Sequence, residues 1–482
     1  MSDLTALLRL GLAPGSLKSL PQHALLNGRK GRRIQSRLRL LDTSDRRFAS
    51  QGWLCLGIED RAGLRHQMLP VADAAGDDAP AVDGELQILA EGKLSGHAWA
   101  LDRDGQTLEL QAHTVTLQRG KHKLAYEALV LQGVAGSALP VLHALAADLS
   151  LDLSLRWTGA APVVEAAAML DLIEPPPLRA GAFEIEVTEE SDTAAAFVGI
   201  ARRCLAQFDA NLLPVLRDRD IEGVHQMRVA LRRLRSALGA FGDMLDGDRL
   251  APLIDDLRWL NGPLGRKRDL DVFIAETLTP LRALENPAKG LQHLVTVLDD
   301  RRTAAQEALQ SALTAPRLAS FRLGFERFLD AVLDGSAVVD AETAGRLAPR
   351  FAASLLQRRR KKLRKLGREH DKLEIAALHE MRIRAKKLRY AAEFFRTAFG
   401  RKETRRFIAA LAELQDCLGA LNDADVGARL TENILSTPDR DPAAAAIAAW
   451  FAGRQQLQLA RLGDAWKAFD DIRPFWKGAL ED

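Results

Sequence analysis

An arginine-rich stretch of this chain occurs twice, and each copy spaces its cations as one face of a helix would. The first copy begins at His225 and reads HQMRVALRRLR, and the second begins 154 residues later, at His379, and reads HEMRIRAKKLR. A second block, LGRKRDLDV in the first copy and LGALNDADV in the second, keeps the same offset. Two separated blocks that share one offset indicate an internal duplication.

Placed on a helix, the cations of each copy form a stripe that borders the apolar face. At 100° per residue, Arg228, Arg232 and Arg235 fall within about 80° of His225, while the apolar residues cluster near about 200°. The second copy repeats the stripe with His379, Arg382, Lys386 and Arg389. A stripe of one sign beside the core predicts an anion-binding groove; the alternative is an ordinary solvated face, and duplication at the same helical phase favours the groove.

A third basic run, RRRKKLRK, precedes the second copy and is predicted to form the helix before it. Four of its cations share one helical face: Arg358, Lys361, Lys362 and Lys365. Two interpretations stay open, a solvated basic helix or an addition to the anion groove of the second copy.

The histidines that begin the two stripes are either structural, hydrogen-bonded near the first helical turn, or phosphate donors that gain charge as the pH falls. A zinc-protease helix is excluded because Ile383 stands where the second histidine would be needed. The aspartates of the second blocks can act as metal ligands, but such residues more often cap a helix and pair with a neighbouring cation. They are Asp269, Asp271, Asp423 and Asp425. We predict no metal, no cofactor and no catalytic residue.

Composition narrows the class of protein. The 482 residues carry a net charge of +3, but residues 1–190 hold 19 Lys and Arg against 24 Asp and Glu, whereas residues 191–482 hold 48 against 40. The basic half contains the duplication, which points to a polyanionic partner. Three scattered cysteines and the lack of a signal or membrane-spanning stretch predict a soluble cytoplasmic protein. The P-loop, nucleophile-elbow and dinucleotide motifs are missing from the sequence.

The hydrophobic pattern divides the chain into a β-rich part, 1–173, a proline-rich linker, 174–190, and a helical part, 191–482. Period-two alternation predicts an antiparallel sheet or barrel with one helix, 139–147, and a loop at 73–83. The strands are expected at 34–41, 53–58, 85–90, 97–101, 107–117 and 123–131.

The helical part is predicted to form two repeats, about 191–340 and 341–482, as two bundles related by a pseudo-twofold axis. Several glycines, among them Gly262, Gly265 and Gly419, are expected to separate its helices. After a helix that ends at Phe208, helices are predicted at 222–245, 249–260, 269–285, 289–313, 317–334, 341–368, 375–398, 402–418, 423–435, 442–461 and 464–470.

The duplicated blocks resemble the hallmark of the CHAD domain, the conserved-histidine α-helical domain, over about residues 191–482. Residues 1–173 resemble the CYTH, or triphosphate tunnel, domain that often precedes it, most clearly at LDTSDRRFASQG, residues 41–52. That family opens on E-x-E-x-K, whereas this chain has Thr5-Ala6-Leu7-Leu8-Arg9, and a late strand keeps one acid, Glu127. Since a two-metal triphosphatase needs those carboxylates, the resemblance implies an inactive tunnel, with Arg37 and Arg39 left as anion contacts.

The CHAD resemblance implies binding of inorganic polyphosphate and association with polyphosphate granules. Arginine and lysine lining a groove would grip phosphates without regard to sequence, and few aromatic residues accompany them for stacking on bases. Two alternatives stay open: a residual triphosphatase in residues 1–173, and nucleic-acid binding through the same grooves. The oligomeric state, and whether the repeats form one channel or two patches, are also left open.

Overall fold

The computed structural model describes residues 6–26, 28–71, 79–133, 138–158, 160–173, 185–369, 374–432, 434–435 and 441–481. Thr5, most of the expected 73–83 loop and positions 174–184 of the expected linker lie outside these ranges. Residues 185–192 lead into the first long helix without regular structure, apart from one bridge between Asp192 and Leu347.

The first part of the chain folds into an antiparallel eight-stranded sheet, as the alternating pattern predicts. The strand order is β4-β3-β2-β5-β6-β7-β1-β8. The strands are β1 (Ala6–Leu12), β2 (Arg32–Thr43), β3 (Trp53–Asp60), β4 (Gly63–Pro70), β5 (Leu86–Arg103), β6 (Gln106–Arg119), β7 (His122–Gly133) and β8 (Leu155–Arg156).

The structure corrects the expectation of separate strands at 85–90 and 97–101, because both belong to the continuous β5. The intervening Gly92 and Gly96 do not break the strand. A Cβ at either position would lie only 2.2 Å from Thr116 O or 2.1 Å from Ala112 O, so glycine lets β6 approach closely.

Both faces of this sheet are covered by helices. The chain adds α1 (Arg47–Ser50), α2 (Leu139–Asp152) and α3 (Pro162–Met169). Leu108 and Leu110 pack in one cluster with residues of α2. On the other face Leu38, Leu56 and Leu117 pack with α3 in a second apolar cluster. The helix α3 was not expected from the sequence.

The rest of the described chain is helical. The helices are α4 (Thr193–Ala210), α5 (Leu212–Asp218), α6 (Ile221–Phe241), α7 (Gly247–Phe273), α8 (Thr279–Arg282), α9 (Leu291–Thr314), α10 (Pro316–Leu333), α11 (Ala341–Gly345), α12 (Ala348–Gly367), α13 (Ile375–Phe394), α14 (Arg401–Thr431), α15 (Pro442–Ala460), α16 (Leu462–Asp470) and α17 (Gly478–Glu481). A π-helical turn, Ile274–Leu278, joins α7 to α8.

The expectation that glycines divide these helices is wrong at three positions. Gly262 and Gly265 lie inside α7, and Gly419 lies inside α14, so two predicted helix pairs are each one long helix. A glycine costs a helix about 1 kcal/mol relative to alanine, which packing can offset. At Gly265 the reason is visible, since a Cβ there would lie 2.9 Å from Arg228 Nη1.

The two repeats share their largest apolar core rather than each forming its own. The cluster contains the apolar stripe of both copies, including Met227 and Leu234 of α6 and Met381 and Leu388 of α13. Phe241 and its equivalent in the second copy, Phe395, have ring centroids 5.9 Å apart. Contact between equivalent positions is the arrangement that a twofold relation produces.

Apolar contacts and a group of charged side chains hold the sheet against the helical part. We call this charged group the docking network. Ala319 and Leu323 of α10 belong to the apolar cluster of the sheet and α2. The buried Arg322 donates to Asp209, with Nη2 2.9 Å from Oδ2, and Trp157 donates to the same carboxylate at 2.9 Å. The network comprises His143, Trp157, Arg202, Asp209, Arg322, Glu326 and Asp330.

Candidate functional site: a cationic pocket between the two repeats

The two helices that carry the stripes, α6 and α13, contact each other and share the apolar core. Asp220 caps α6 by accepting from the N–H of Gly223, so the helix begins four residues before His225. The equivalent α13 begins four residues before His379. Because each helix buries its apolar stripe in the shared core, the neighbouring cations are held at the rim of that core.

A cavity of about 1290 Å³ lies between the repeats and is lined by both. We call it the cationic pocket. Five of the twelve residues predicted from the sequence line it: His225, Arg232, Arg382, Lys386 and Arg389. These residues of the two repeats therefore share one cavity and do not form two separate patches, because α6 and α13 face the same cavity.

The charges of the two repeats act on one another inside this pocket. Burial, and after it repulsion by Arg382, Arg232, Arg228 and Arg389, lowers the pKa of Lys386 to about 8. Burial is also the main cause of the lowered pKa values of Arg228 and Arg382. Lys386 belongs to the second repeat and Arg228 and Arg232 to the first, so the stripes converge.

Acidic side chains offset only part of this charge. Eight arginines and lysines line the cationic pocket against three acids, Glu393, Asp416 and Asp423, and a fourth acid outside the lining, Glu276, pairs with Arg454 at 3.8 Å. Glu393 Oε1 accepts from Arg389 at 2.8 Å, and its other oxygen accepts from Arg233 at 2.6 Å. Burial raises the pKa of Asp423, which works against its negative charge.

Three hydrogen-bond donors of the pocket lining are buried without a hydrogen-bond partner among the residues that the structure describes. They are Arg232 Nε, Arg233 Nε and Gln415 Nε2. Leaving such a buried donor unsatisfied costs about 1–3 kcal/mol. An anionic ligand would satisfy those of them that its acceptor oxygens reach.

The surroundings of His225 disfavour its positively charged form. Burial lowers its pKa, and Arg268, Arg232 and Arg228 lower it further, against a smaller opposing effect of Glu222. His379 is half-buried and is not among the residues that line the pocket.

The aspartates of the second blocks do not cap helices, which corrects one of the structural alternatives. Asp269 and Asp271 lie within α7. Asp269 lies 3.5 Å from Arg228, and the buried Asp271 binds Lys267 at 2.5 Å and Arg302 at 2.7 Å. These carboxylates thus hold cations in place, as pairing predicts. Within the described ranges, no three His, Cys, Asp or Glu side chains are grouped to hold a metal.

The other seven predicted residues lie outside the pocket lining, among them His379 and Arg228, the partner of Asp269. Arg235 is exposed. The four cations of the third basic run lie on α12, are all exposed, and do not line the cavity: Arg358, Lys361, Lys362 and Lys365.

Sequence reasoning missed several residues of the pocket. Arg233 is nearly buried and makes the ion pair to Glu393 that links the two repeats. At 100° per residue it lies between the small apolar side chains of Ala237 and Ala240, which was the available signal. Arg396, Arg405, Gln415 and Arg454 carry no such signal, since they lie outside the duplicated blocks.

The residues that would serve a triphosphate tunnel have other roles in the sheet. Glu127 accepts from the backbone N–H groups of Gly15 and Leu17, at 3.0 Å each. Arg39 pairs with Glu59 at 3.0 Å and Arg37 is exposed. Both arginines alternate with the buried Leu38 and Leu40, so they are on the face opposite the α3 cluster.

The architecture is an antiparallel sheet joined to a helical module. The module has an internal repeat and a cationic cavity where the two repeats meet. The family model for the CHAD domain matches residues 199–432. The crystal structure of the CHAD domain from the plant Ricinus communis is 30% identical, with a TM-score of 0.50, over 61% of this chain and 96% of that one. This chain belongs to the CHAD family, a family of generally non-catalytic binding domains linked to polyphosphate.

A second solved structure, PptA from Streptomyces chartreusis, is 19% identical with a TM-score of 0.39, covering 61% of this chain and all of that one. No curated protein sequence matches. The CYTH resemblance of residues 1–173 stays a prediction. Among the described residues, no helix has the length and apolar character needed to cross a membrane.

Proposed function

We propose that the cationic pocket binds inorganic polyphosphate and that the protein is a non-enzymatic polyphosphate-binding protein, associated with polyphosphate granules in the cytoplasm. The observation that carries the proposal is the convergence of Arg232 from one repeat with Arg382 and Lys386 from the other on one cavity. Charges that repel one another across the pocket are stabilised when a chain of phosphates lies among them.

The lining of the pocket favours polyphosphate over nucleic acid. Tyr390 is the one Phe, Tyr or Trp among the described residues that line the cavity. Proteins that bind single-stranded nucleic acids rely on several aromatic side chains for stacking, each worth about 1–3 kcal/mol per base. Arginine forks and a lysine recognise phosphate oxygens and need no base.

The sheet supports the non-enzymatic part of the proposal. Where it packs against α3, the sheet is mainly leucine, isoleucine, valine and alanine, and the polar side chains of its strands there, Arg9, His113 and Tyr126, include no carboxylate. A two-metal phosphate hydrolase requires carboxylates around an open site. We therefore expect the full chain, mixed with magnesium and tripolyphosphate, to release no phosphate; magnesium-dependent release would favour the triphosphatase alternative.

The test of the proposed site is the double charge reversal Arg232→Glu and Lys386→Glu. Binding of long-chain polyphosphate should fall by at least about 100-fold, since two attractive contacts become repulsive, and wild-type binding should weaken steeply as salt rises. The matched control reverses two exposed lysines of the β-rich part, Lys18→Glu and Lys30→Glu, with little expected effect. A folded double variant with wild-type affinity contradicts the proposal.

Competition separates polyphosphate from nucleic acid as the preferred ligand. Long-chain polyphosphate should displace DNA from the protein at concentrations where DNA does not displace polyphosphate. The reverse order would favour the nucleic-acid alternative.

A further inference from the structure

The outer face of α12 is a second cationic surface, separate from the cationic pocket. The helix buries Leu355, Leu356 and Leu363 in the shared core. Its opposite side exposes Arg358, Lys361, Lys362 and Lys365. From the first of these cations to the last, the helix axis advances about 10 Å.

Other arginines of the same run have structural roles, because each of them binds a backbone carbonyl or a carboxylate elsewhere in the chain. Arg360 donates from Nη2 to the carbonyls of Asp470 and Ile472 at 3.0 Å each. Arg364 binds the carboxylate of Asp470. Arg359 donates to the carbonyl of Lys387 at 2.6 Å.

The four outer cations have no such roles. Within the part of the chain that the structure describes, none of their side chains makes an ion pair or hydrogen bond. Asp470 is bound to Arg364, and Glu380 on α13 is bound to Arg384. Attraction to the negative end of the helix dipole explains a cation in the last turn, such as Lys365, but not Arg358 two turns earlier.

Helix α13 separates this surface from the pocket. On one side of α13, Arg382, Lys386 and Arg389 line the cavity. Lys387, whose carbonyl accepts from α12, is rotated by about 140° from Arg382 around the helix axis. The two cationic surfaces therefore lie on different sides of α13.

We propose that the outer cations of α12 form a second binding surface for long-chain polyphosphate, engaged by the part of a chain that continues beyond the pocket. This inference rests on the proposed function. A tethered second contact raises the affinity of a long ligand without changing that of a short one, because the second binding step becomes intramolecular. The pocket sets whether a phosphate chain binds, and α12 makes binding depend on chain length.

The experiment compares tripolyphosphate with long-chain polyphosphate on the full protein. The α12 variant replaces Arg358, Lys361, Lys362 and Lys365 by glutamine. Its control replaces four exposed lysines of the β-rich part by glutamine, namely Lys18, Lys30, Lys121 and Lys123. Both variants lower the net charge by four, so a general charge effect is matched.

For the α12 variant, tripolyphosphate affinity should stay at the wild-type value while long-chain affinity falls about tenfold. The slope of log affinity against log salt should decrease by about 0.7 for each phosphate that α12 no longer neutralises. The control variant should change neither ligand by more than about twofold. These outcomes together support a second surface.

Three results overturn it. Long-chain affinity equal to that of the control means that α12 is only solvated. An equal loss for both ligands means that α12 belongs to the pocket. With DNA as a third ligand, loss of DNA binding while long-chain polyphosphate binding stays intact means that the surface serves another polyanion. Failure of the proposed function is distinguishable, because the wild-type protein would then bind neither polyphosphate.

Discussion

The docking network and the cationic pocket are both partly buried groups of charges, and they are balanced in opposite ways. In the docking network, Arg322 contacts Asp209 and Glu326, while Arg202 contacts Glu326 and Asp330. In the pocket, eight cations face three acids. Burying charge is stabilising only when partners are well placed, so the network holds the fold and the pocket opposes it. A sequence retains such an unbalanced group at a cost in stability, which is typical of a functional site.

The largest expected effect comes from unbalancing the docking network. Replacing Arg322 by methionine leaves Asp209 buried beside an apolar chain and should lower the free energy of unfolding by about 3–5 kcal/mol. Arg317→Met on the same helix is the matched control, because its pair with Asp256 is half exposed and worth less than about 1 kcal/mol. Urea unfolding measures both. Equal midpoints for the two variants would show that the network does not hold the fold.

The opposite change in stability is expected in the pocket. Lys386→Met removes a repelled cation and should raise the free energy of unfolding of the ligand-free protein by about 1 kcal/mol, a figure reduced for the solvent that reaches this half-buried side chain. The same variant should bind polyphosphate about tenfold more weakly. Lys387→Met, one residue away and exposed, should do neither. Thermal unfolding and titration calorimetry separate the two effects, and a loss of both stability and affinity would contradict the comparison.

The lowered pKa of Lys386 also makes stability and polyphosphate binding depend on pH. The folded pKa of Lys386 is about 8, below its ordinary value of 10.5. Below pH 8 the repulsion is fully present; between pH 8 and about 10.5 the unfolded chain binds more protons, so this group makes stability rise with pH. Polyphosphate favours the charged lysine, so near pH 8.5 binding should take up a proton and weaken as the pH rises. Calorimetry in buffers of different ionisation enthalpy measures the uptake, and none is expected in Lys386→Met.

The smallest expected effect concerns two equivalent glycines. Gly419 lines the pocket with open space where a Cβ would be, whereas a Cβ on Gly265 would meet Arg228. Alanine at 419 should therefore stabilise α14 by about 0.5–1 kcal/mol. Alanine at 265 should stabilise α7 by less than this, because Arg228 must move to make room for the methyl group. The same movement should weaken polyphosphate binding a few-fold. Identical behaviour of both variants in unfolding and binding would mean that Arg228 is not held in place by Gly265.

The sequence predicted those parts of the site that local patterns encode. Helical periodicity located α6 and α13, and the repeat showed that their cations are equivalent, so these two patterns predicted Arg232 and Lys386 together with the rest of both stripes. What failed depended on tertiary contact. Gly419 was expected to end a helix, but packing kept it within α14. Glu393, which stands where the first copy has Gly239, reaches Arg233 across the repeats, and no local pattern reports that distance.

The shared core has a consequence for the stability of a single repeat. Phe241, Phe351 and Phe395 stack or cross one another at the centre, so the apolar face of either repeat is covered by the other. A single copy on its own would expose that face to water, which favours self-association over a stable monomer.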